Sequence, residues 1–453
     1  MARPPVLPAP LAHFSIQSAA REAPRRIGLR VGGEEFDFAT LAALAAARAA
    51  ELDWPAPGRP YPLTGSNSLA TAITLYALLE AGVPALMLHP KLTGVERAAL
   101  LAQAEAITEP LPPGAAAVLF TSGTTGTPKA AVITQTALVA SARTSSANIG
   151  WQPDDCWQMC MPIARVGGLS ILTRCLAART AVAIAPAFDA KSWPDTLAEQ
   201  AVTLTSLVPT MLTKVFEASP DWRAPARLRA LLLGGTSASH KLLTRAHEAG
   251  VPVITTYGMT EACSHVVATP YGERHQASIG SGKPLAGAAV RVDRGHIQVR
   301  GPMLMHGYWG QAPLDRQAWF DTGDLGEFDS HGYLHVHARR SDLIVTGGDN
   351  VYPVEVEHAL ETIPGLRAAT VLGLPDELWG QTVAALLVAE GEPPADEALC
   401  AAIGERLSPH KRPRHIAFVA ALPQTAAGKP DRRPASALAL GLRPIKYPRN
   451  SRA

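Results

Sequence analysis

The sequence predicts an α/β protein with three parts: a large N-terminal domain of βα-layered sheets, a small antiparallel β subdomain, and a small α+β C-terminal domain. From residue 14 onward, short apolar runs alternate with Ala-rich helical segments, which is typical of a sheet flanked by helices. After Ser278 the pattern changes to short β-like runs between Gly and Asp turns. A charged stretch, residues 338–342, then precedes a separately patterned segment, so we place the domain boundary between Arg340 and Ser341. The predicted domains are residues 1–340 and 341–453.

Length and composition set the broad class. A chain of 453 residues can bury a substantial core and divide into two or three compact units. Hydrophobic residues make up 47% and charged residues 18%, which is typical of a globular protein. The formal net charge of +2 provides no overall field that would attract nucleic acid or an acidic membrane, so neither is expected as a partner.

Cysteine usage and hydropathy indicate the compartment. The five cysteines are scattered and form no CxxC pair, which favours buried thiols in a reducing compartment over disulfides or a metal site. Prolines interrupt the N-terminus where a signal peptide needs a continuous apolar segment. The most apolar stretch, residues 69–88, contains Glu80, Gly82 and Pro84 and is better explained as a helix, a turn and a strand. We therefore expect a cytoplasmic protein without membrane insertion.

The first hundred residues predict helices and a strand but contain no candidate functional residues. Three Ala-rich segments predict helices, and a short apolar run predicts a strand: residues 38–52, 68–81 and 94–106 for the helices, and residues 85–88 for the strand. Because these helices offer few reactive side chains, we assign no chemistry to this region.

An apolar run, Ala115–Phe120, predicts a strand that leads into the loop Thr121–Lys129. Glycines in this loop let successive backbone N–H groups point toward one anion, hydroxyl side chains add donors, and Lys129 adds a positive charge. The loop is not a Walker A motif, because Pro128 stands where that motif has glycine. It predicts phosphate binding, with a polar surface turn as the alternative.

Further βα units follow. Apolar runs predict strands at residues 156–161, 181–185, 202–208 and 230–233, and such repeats predict a largely parallel sheet covered on both faces. Two arginines, Arg165 and Arg174, lie in an otherwise apolar neighbourhood. They are candidates for an acyl pocket, and a solvated helix flank is the alternative.

Two polar or glycine-rich segments follow strands in the same way as the first loop. They are Gly234–Thr236 and Thr256–Glu261. Ligands of α/β sheets gather outside the carboxyl ends of the strands, so the three segments are expected to line one site. A later Asp-Thr-Gly-Asp sequence, residues 321–324, predicts a turn in the antiparallel subdomain.

Together and in this order, the motifs resemble those of the adenylate-forming superfamily of acyl-CoA synthetases, adenylation domains and luciferases. The matching segments are Thr121–Lys129, Tyr257–Glu261, Asp321–Asp324, Arg339 with Gly347–Asn350, and Gly428–Lys429. They extend over nearly the whole chain, and five ordered motifs make coincidence negligible. Departures from the family pattern are Ala130, Ala338, Ser341 and the sequence Ile163–Arg165, which stands where many acyl-CoA ligases have an aromatic residue and a histidine.

The resemblance implies ATP, Mg²⁺ and coenzyme A as cofactors and a small carboxylic acid as substrate. In the first step the acid attacks the α-phosphate of ATP and gives an acyl-adenylate and pyrophosphate. Catalysis then consists of positioning and of positive groups near the phosphates. Phosphate binding is assigned to Thr121, Ser122, Gly123, Thr124, Thr125, Gly126 and Lys129, and adenine or ribose binding to Gly234, Gly235, Thr236, Thr256, Tyr257, Gly258, Asp324 and Arg339.

Three residues are assigned catalytic roles by the same resemblance. Glu261 would bind Mg²⁺, a hard cation that prefers oxygen ligands, and Thr260 would donate to the α-phosphate. Lys429 would bridge the carboxylate and the α-phosphate. In the second step the C-terminal domain would rotate about a hinge at Ser341, withdraw Lys429 and present Gly347–Gly348 to the tunnel for the thiol.

Within the superfamily, several segments look like the o-succinylbenzoate:CoA ligase branch of menaquinone biosynthesis, among them residues 166–172 and 339–344. This acid has a second carboxylate that is not activated, and burying it requires a cation. Arg174 or Arg165 would provide it, with Gly167 and Gly168 beside them in the acyl pocket. The alternatives are a ligase for another aryl or dicarboxylic acid, such as anthranilate, and a stand-alone enzyme that loads a carrier protein. A homodimer is compatible with the sequence.

Overall fold

The computed structural model describes residues 12–121, 128–276, 280–424, 430–432 and 437–447. Eleven α-helices lie within these residues: α1 (Ile16–Glu22), α2 (Phe38–Glu51), α3 (Leu69–Ala81), α4 (Gly94–Ala106), α5 (Gln135–Ile149), α6 (Val166–Ala178), α7 (Trp193–Glu199), α8 (Pro209–Ala218), α9 (His240–Glu248), α10 (Pro353–Glu361) and α11 (Asp396–Arg406). None of them is both long enough and apolar enough to cross a bilayer.

The strands of the described residues form four sheets. In chain order they are β1 (Ile27–Val31), β2 (Glu34–Asp37), β3 (Tyr61–Thr64), β4 (Ala85–Leu88), β5 (Ala115–Thr121), β6 (Lys129–Thr134), β7 (Cys156–Met159), β8 (Ala181–Ile184), β9 (Leu204–Leu207), β10 (Ala230–Leu233), β11 (Val253–Met259), β12 (Ser264–Ala268), β13 (Lys283–Pro284), β14 (Ala289–Asp293), β15 (His296–Arg300), β16 (Gly307–Tyr308), β17 (Phe320–Phe328), β18 (Leu334–Arg339), β19 (Ile344–Thr346), β20 (Asp349–Val351), β21 (Leu366–Asp376), β22 (Gly380–Ala389), β23 (His415–Phe418) and β24 (Arg443–Pro444).

The largest sheet has nine strands in the order β13-β12-β11-β10-β9-β7-β8-β1-β2. Its central strands, β1 and β7 to β11, pair in parallel, and antiparallel strands complete both edges. A second sheet has the order β16-β6-β5-β4-β3, and an antiparallel sheet has the order β14-β15-β17-β18. The predicted fold class, layered βα sheets with a small antiparallel sheet, is confirmed.

The five-stranded sheet is buried on both faces. Ala85 and Met87 of β4 point into the main core, whereas Leu86 and Leu88 belong to a second cluster that includes Ala104 of α4. Alternate residues of a strand point to opposite faces, so a strand without polar residues must be covered on both sides. This arrangement explains the continuous apolar sequence of β4 and β5.

Local sequence signals determine where the helices begin and end. Thr93 and Glu96 form a capping box at the start of α4, and the Ser68 side chain accepts from the Thr71 N–H at the start of α3. Gly82 ends α3 in the left-handed conformation, with φ of 67°. These caps lie within one or two residues of the helix ends that the sequence predicts.

Three segments differ from the prediction. The sequence Lys129–Thr134 forms strand β6, antiparallel to β5, although no strand is predicted there. The segment Tyr257–Met259 belongs to β11. Pairing with β12 continues this strand into the segment that was predicted as a loop. Residues 321–324 lie within β17 instead of a separate turn, and Asp324 begins the pairing with β18. A local turn feature remains inside the strand, because the Gly323 N–H donates to Asp321 Oδ1 and Gly323 has φ of 74°.

The chain divides into two compact units. The first comprises Met1–Gly235, Ala246–Arg291 and Val299–Phe320, and the second comprises Thr236–Arg245, Val292–Gln298 and Asp321–Ala453. The second unit contains a six-stranded sheet in the order β20-β19-β22-β23-β24, with β21 paired to β22. The boundary between Arg340 and Ser341 stays a prediction.

Candidate functional site

Strands β5 and β6 hold the two ends of the predicted phosphate loop together. Thr121 and Lys129 are directly paired in the ladder, and Thr121 Oγ1 donates to the Lys129 carbonyl at 3.4 Å. The hairpin therefore fixes both flanks of the loop through backbone pairing. The loop residues assigned to phosphate binding, Ser122 to Gly126, lie outside the described residues.

Glu261 lies close to Lys129 in the first unit. It belongs to a short 3-10 turn, Thr260–Ala262, that directly follows β11. Tyr308 Oη donates to Glu261 Oε1 at 2.9 Å, and the Lys129 ammonium lies 5.1 Å from the centre of the Tyr308 ring. The fold thus brings together two sequence-predicted site residues, Lys129 and Glu261, around one tyrosine that the sequence analysis did not select.

The donor atoms around Glu261 are compatible with Mg²⁺. Glu261 Oε2 has no hydrogen-bond partner among the described residues, so one carboxylate oxygen is available to a hard cation. Within the described part of the chain, no group of three or more His, Cys, Asp or Glu side chains could hold a metal. A cation here would take its remaining ligands from phosphate oxygens and water, as is usual for Mg²⁺ with nucleotides.

The glycine of the second motif is required by close strand packing. A Cβ atom on Gly258 would lie 2.1 Å from the Ser264 carbonyl oxygen and 2.4 Å from the His265 Cα. Strand β12 then approaches β11 closely, with Gly258 opposite His265 in the register. Thr260 begins the 3-10 turn at the end of this tight ladder, so its position depends on the approach that Gly258 permits.

The residues assigned to the adenine lie at neighbouring strand ends. A Cβ atom on Gly234 would lie 2.1 Å from Thr256 Oγ1, which itself donates to the Leu233 carbonyl at 3.3 Å. Gly235 has φ of +87°, a conformation that favours glycine. Tyr257 is buried in β11. The structure therefore brings these residues together, with Gly234 and Gly235 at the end of β10 and Thr256 within the neighbouring β11.

The remaining nucleotide candidates lie in the second unit. Asp324 and Arg339 are opposite each other in the β17–β18 ladder, and Arg339 Nε lies 3.1 Å from Asp324 Oδ1. The Asp324 side chain is only 9% exposed, whereas Arg339 is 44% exposed. Thr236 also falls in the second unit. The ion pair between Arg339 and Asp324 holds the Asp324 carboxylate in a fixed orientation.

Arg174 is a buried cation without an anionic partner in the described part of the chain. It lies in α6 and is 2% exposed. Nη2 donates to Ser141 Oγ at 3.0 Å and Nη1 lies 3.4 Å from His265 Nδ1, but Nε has no partner. Burial lowers the pKa of Arg174 to about 10, and burial followed by the Arg174 charge lowers the pKa of His265 well below its usual range. At neutral pH a charged guanidinium therefore faces a neutral imidazole.

No described carboxylate compensates this charge. Among the residues that the structure describes, none of the Asp or Glu side chains forms an ion pair with Arg174. Burying an unpaired charge is costly, which is the situation expected where a ligand supplies the anion.

Arg165 has a different environment. It is the N-cap residue of α6 without a side-chain cap bond, and its buried Nε has no partner. Burial lowers the pKa of Arg165, and burial together with the Arg165 charge lowers the pKa of His89. Gly168 lies in the first turn of α6. It must be glycine, because a Cβ there would lie 2.3 Å from the Pro162 carbonyl oxygen, whereas a Cβ on Gly167 would meet only ordinary contacts.

The two arginines occupy different positions on α6. Arg165 is its N-cap residue in an extended conformation, and Arg174 lies within the helix, nine residues later. The sequence-based hypothesis that one or both bind the second carboxylate stays a prediction. Arg174, which is more deeply buried, is the stronger candidate.

The glycine pair assigned to the thiol tunnel forms the turn between β19 and β20. Gly347 and Gly348 have φ of +60° and +89°, and a Cβ on Gly347 would lie 2.6 Å from the Trp379 ring. The Gly347 N–H donates to the Trp379 carbonyl at 2.9 Å, and the Arg414 guanidinium lies 4.5 Å from the Trp379 ring centre. Trp379 and its neighbour Leu378 are exposed.

The hinge and lysine assignments are described only in part. Ser341 lies in a 3-10 turn directly after β18, and its Oγ donates to Asp342 Oδ1 at 3.0 Å. Gly428 and Lys429 lie outside the described residues.

Three residues of interest were missed by sequence reasoning: Tyr308, His265 and Trp379. Each reaches a predicted site residue through tertiary pairing, from segments distant in sequence. Tyr308 carries a weak local signal, since it stands with Trp309 between two glycines. No local pattern distinguishes His265, which needs the register of β12 to be identified.

Comparison with known protein families gives two matches. The AMP-binding enzyme family matches residues 107–309, and the AMP-binding enzyme C-terminal domain matches residues 355–429. A similar curated protein is the 2-succinylbenzoate–CoA ligase of Bacillus mycoides (strain KBAB4), 38% identical over 327 residues. The alignment covers 69% of this chain and 68% of that protein.

Solved structures agree with the family matches. The o-succinylbenzoate CoA synthetase of Bacillus subtilis in complex with its acyl-adenylate intermediate superposes with a TM-score of 0.85 at 28% identity, covering 96% of this chain and 99% of that one. The same enzyme in complex with ATP and magnesium ion gives a TM-score of 0.82 at 29% identity, covering 92% and 98%. The similarity thus extends over both units of the chain.

Proposed function

Because the chain belongs to the family of AMP-binding enzymes, we propose that it is an ATP-dependent acid–CoA ligase that activates o-succinylbenzoate in menaquinone biosynthesis. The observation that favours this acid is the buried guanidinium of Arg174, which has no anionic partner among the described residues. o-Succinylbenzoate has one carboxylate to activate and a second one to be held. A substrate of this kind supplies the charge that the pocket lacks.

The reaction proceeds in two steps. A carboxylate oxygen of the acid attacks the α-phosphorus of ATP, the bond to the β-phosphate oxygen breaks, and pyrophosphate leaves. The sulfur of coenzyme A then attacks the carbonyl carbon of the acyl-adenylate, AMP leaves, and the thiol proton passes to solvent. The first step brings two anions together, so charge compensation and positioning dominate its catalysis.

At the phosphate end, Lys129 and Glu261 have complementary tasks. Lys129 would contact the terminal phosphates, and the free oxygen of Glu261 would hold Mg²⁺. Bound Mg²⁺ supplies neutralisation of phosphate charge. Thr260, next to Glu261 at the end of the tight β11–β12 ladder, would donate to the α-phosphate.

At the acyl end, Arg174 would bind the ring carboxylate. A guanidinium offers two parallel N–H donors to a carboxylate, and the buried Nε of Arg174 is one donor without a partner. The Arg174 pKa of about 10 keeps the side chain charged at neutral pH. This assignment makes Arg174 a specificity residue, while the succinyl carboxylate reacts.

For the thiol, we propose that the Gly347–Gly348 turn contacts the pantetheine arm. Glycines at this turn leave the backbone accessible. The exposed Trp379 ring, with Arg414 stacked on it, provides an apolar and a cationic surface next to the turn. The apolar ring would contact the pantetheine chain, and the guanidinium would bind the phosphates at the end of that chain.

The compartment and assembly form part of the proposal. All five cysteines are buried and free, which is compatible with a reducing compartment, and we place the enzyme in the cytoplasm. A homodimer is compatible with the proposed reaction, and sedimentation velocity of the purified chain measures it.

The test is pyrophosphate release from ATP and Mg²⁺ with o-succinylbenzoate, with and without coenzyme A. We expect release that depends on the acid, and formation of the CoA thioester detected by mass spectrometry. Benzoate and anthranilate serve as comparison acids. A kcat/KM for anthranilate above that for o-succinylbenzoate would contradict the proposed substrate. Acid-dependent pyrophosphate release without any thioester would instead indicate transfer to a carrier protein.

A further inference from the structure

Tyr308 belongs to a segment that links the two phosphate-side motifs of the first unit. The segment, Met305–Trp309, is hereafter the bridging segment. Its Met305 N–H donates to the Glu261 carbonyl at 2.7 Å, and its Trp309 N–H donates to the Ala130 carbonyl at 2.8 Å. One end is thus bonded to the turn that carries Glu261, and the other end is bonded to the strand that begins at Lys129.

The position of Tyr308 within the bridging segment is fixed by strand pairing. Tyr308 lies opposite Ala131 in the β16–β6 ladder, and Gly307 lies opposite Val132. The tyrosine ring packs against the main core of the unit. Backbone pairing and packing therefore hold the hydroxyl where it donates to Glu261 Oε1 at 2.9 Å.

We infer that Tyr308 is a positioning residue for nucleotide binding: its hydroxyl orients the Glu261 carboxylate toward Mg²⁺, and its ring holds the Lys129 ammonium. The inference depends on the proposed function only in taking Glu261 and Lys129 as the phosphate-side residues. It concerns this chain's own side chains, and it assigns to Tyr308 a role that the comparisons with known proteins do not give.

The hydroxyl would act through the geometry of the carboxylate. A donor on one oxygen restricts rotation of the Glu261 side chain and leaves the other oxygen available to the cation. Partners of this kind commonly change metal affinity by 10- to 100-fold when they are removed. The expected consequence is tighter binding of the metal–nucleotide complex.

The ring would act by keeping two opposite charges apart. Lys129 lies 5.1 Å from the ring centre, a cation–π distance, and no ion pair joins Lys129 to Glu261 among the described residues. A direct pair between these side chains would neutralise both groups before ATP arrives. With Lys129 at the ring and Glu261 at the hydroxyl, the cation remains available to phosphate and one carboxylate oxygen remains available to metal.

The experiment measures binding without turnover. Mn²⁺ replaces Mg²⁺, ATP is present, no acid is added, and the Mn²⁺–ATP complex retained by the protein is measured by equilibrium dialysis. For Tyr308→Phe, which retains the ring, we expect Mn²⁺ to bind about tenfold more weakly, with an unchanged melting temperature in the absence of ligands. Tyr308→Leu, which also removes the ring, should weaken binding further.

A matched control is Tyr61→Phe. Tyr61 packs against the same core, and its hydroxyl has no hydrogen bond within the described residues, so Mn²⁺ affinity should not change. The double variant Glu261→Gln/Tyr308→Phe should bind no more weakly than Glu261→Gln alone, because the tyrosine hydroxyl acts through that carboxylate. Additive losses would overturn the inference.

Failure of the inference is distinguishable from failure of the proposed function. If Tyr308→Phe binds Mn²⁺ with ATP within twofold of the unmodified chain, Tyr308 has no positioning role, whatever acid is activated. If the unmodified chain binds Mn²⁺ and ATP and Tyr308→Phe weakens this binding, the inference stands even if no tested acid releases pyrophosphate.

Discussion

Two buried ionisable side chains, Arg174 and Glu361, each have a polar atom without a hydrogen-bond partner among the described residues. Arg174 is buried with an unpartnered Nε, and Glu361 has a buried Oε2 without a partner. Such atoms are uncommon in folded proteins, because each costs desolvation free energy that no bond returns. The unpartnered Nε of Arg174 is best explained by a ligand that binds there, and the unpartnered Oε2 of Glu361 by a raised pKa of its carboxyl group.

For Arg174, the prediction compares two substrates. In Arg174→Met, kcat/KM for o-succinylbenzoate should fall by at least about 30-fold, since a buried charge pair contributes about 2–5 kcal/mol. For 4-oxo-4-phenylbutanoate, which lacks the ring carboxylate, the change should be below about threefold. The same measurements on Arg165→Met provide the matched control. An equal loss with both acids would assign Arg174 a structural role instead.

For Glu361, the prediction concerns pH. Burial, and next the nearby Glu357 charge, raise its pKa from 4.5 to about 7, against smaller opposing effects that include Lys241. The folded form therefore binds a proton more tightly than the unfolded form. The contribution of Glu361 to the free energy of unfolding must then decrease as pH rises from 4.5 to about 7 and stay level above that range.

Glu361→Gln should remove this dependence. At pH 8 it should stabilise the second unit by about 1–3 kcal/mol, and at pH 4.5 it should have little effect. Thermal unfolding monitored at both pH values measures the difference. Glu397→Gln, an exposed change on α11, is the control and should show no such difference between the two pH values.

At the scale of helices and strands, close backbone approach organises the site. Strands β11 and β12 form a tight ladder only because residue 258 has no side chain. The ladder positions the turn with Thr260 and Glu261, and it also places His265 beside Arg174. One glycine therefore connects the residues proposed to bind the nucleotide with Arg174, which is proposed to bind the acid.

Gly258→Ala should disrupt this connection. A Cβ at 2.1 Å from the Ser264 carbonyl oxygen must push the strands apart, and overpacking of this kind costs about 1–3 kcal/mol. We expect a lower melting temperature and weaker ATP binding in a thermal-shift titration. Gly272→Ala is the control, because nothing lies within 4 Å of a Cβ there. Identical behaviour of the two variants would refute the close-approach explanation.

Helices were more predictable from sequence than strand pairing. The helix α3 begins and ends within a residue of its predicted range because a serine cap and a C-terminal glycine define it locally. The strands β6 and β16 were not predicted. Strand β16 has only two residues, and its existence depends on pairing across the fold, which local composition does not encode. Tyr308 was missed for the same reason.

At the scale of the whole molecule, the chain divides its chemistry between two units. Lys129, Glu261 and Arg174 lie in the first, and Asp324, Arg339 and the Gly347–Gly348 turn lie in the second. Motif identity and order were predictable, because the loops carry distinctive residue types. The acid, o-succinylbenzoate, was predictable from the family resemblance, whereas the environment of Arg174 was not, since it depends on α5, α6 and β12 together.

The two half-reactions should separate in a single variant. If Lys429 serves only adenylation, as the family resemblance implies, Lys429→Ala should abolish pyrophosphate release while thioester formation from supplied acyl-adenylate and coenzyme A stays within about threefold. Rapid-quench measurements of each step check this. Equal loss of both steps would mean that the lysine also serves thioester formation or is needed for folding.

The burial of every cysteine has a practical consequence for measuring motion. All five thiols are shielded, so maleimide dyes should react slowly with the native chain. Substituting cysteine at Val95, which is 82% exposed in the first unit, and at Glu392, an exposed loop position in the second, would add two accessible attachment points. Energy transfer between a donor and an acceptor dye at these points would then follow any inter-unit movement through the catalytic cycle, with no native cysteine removed.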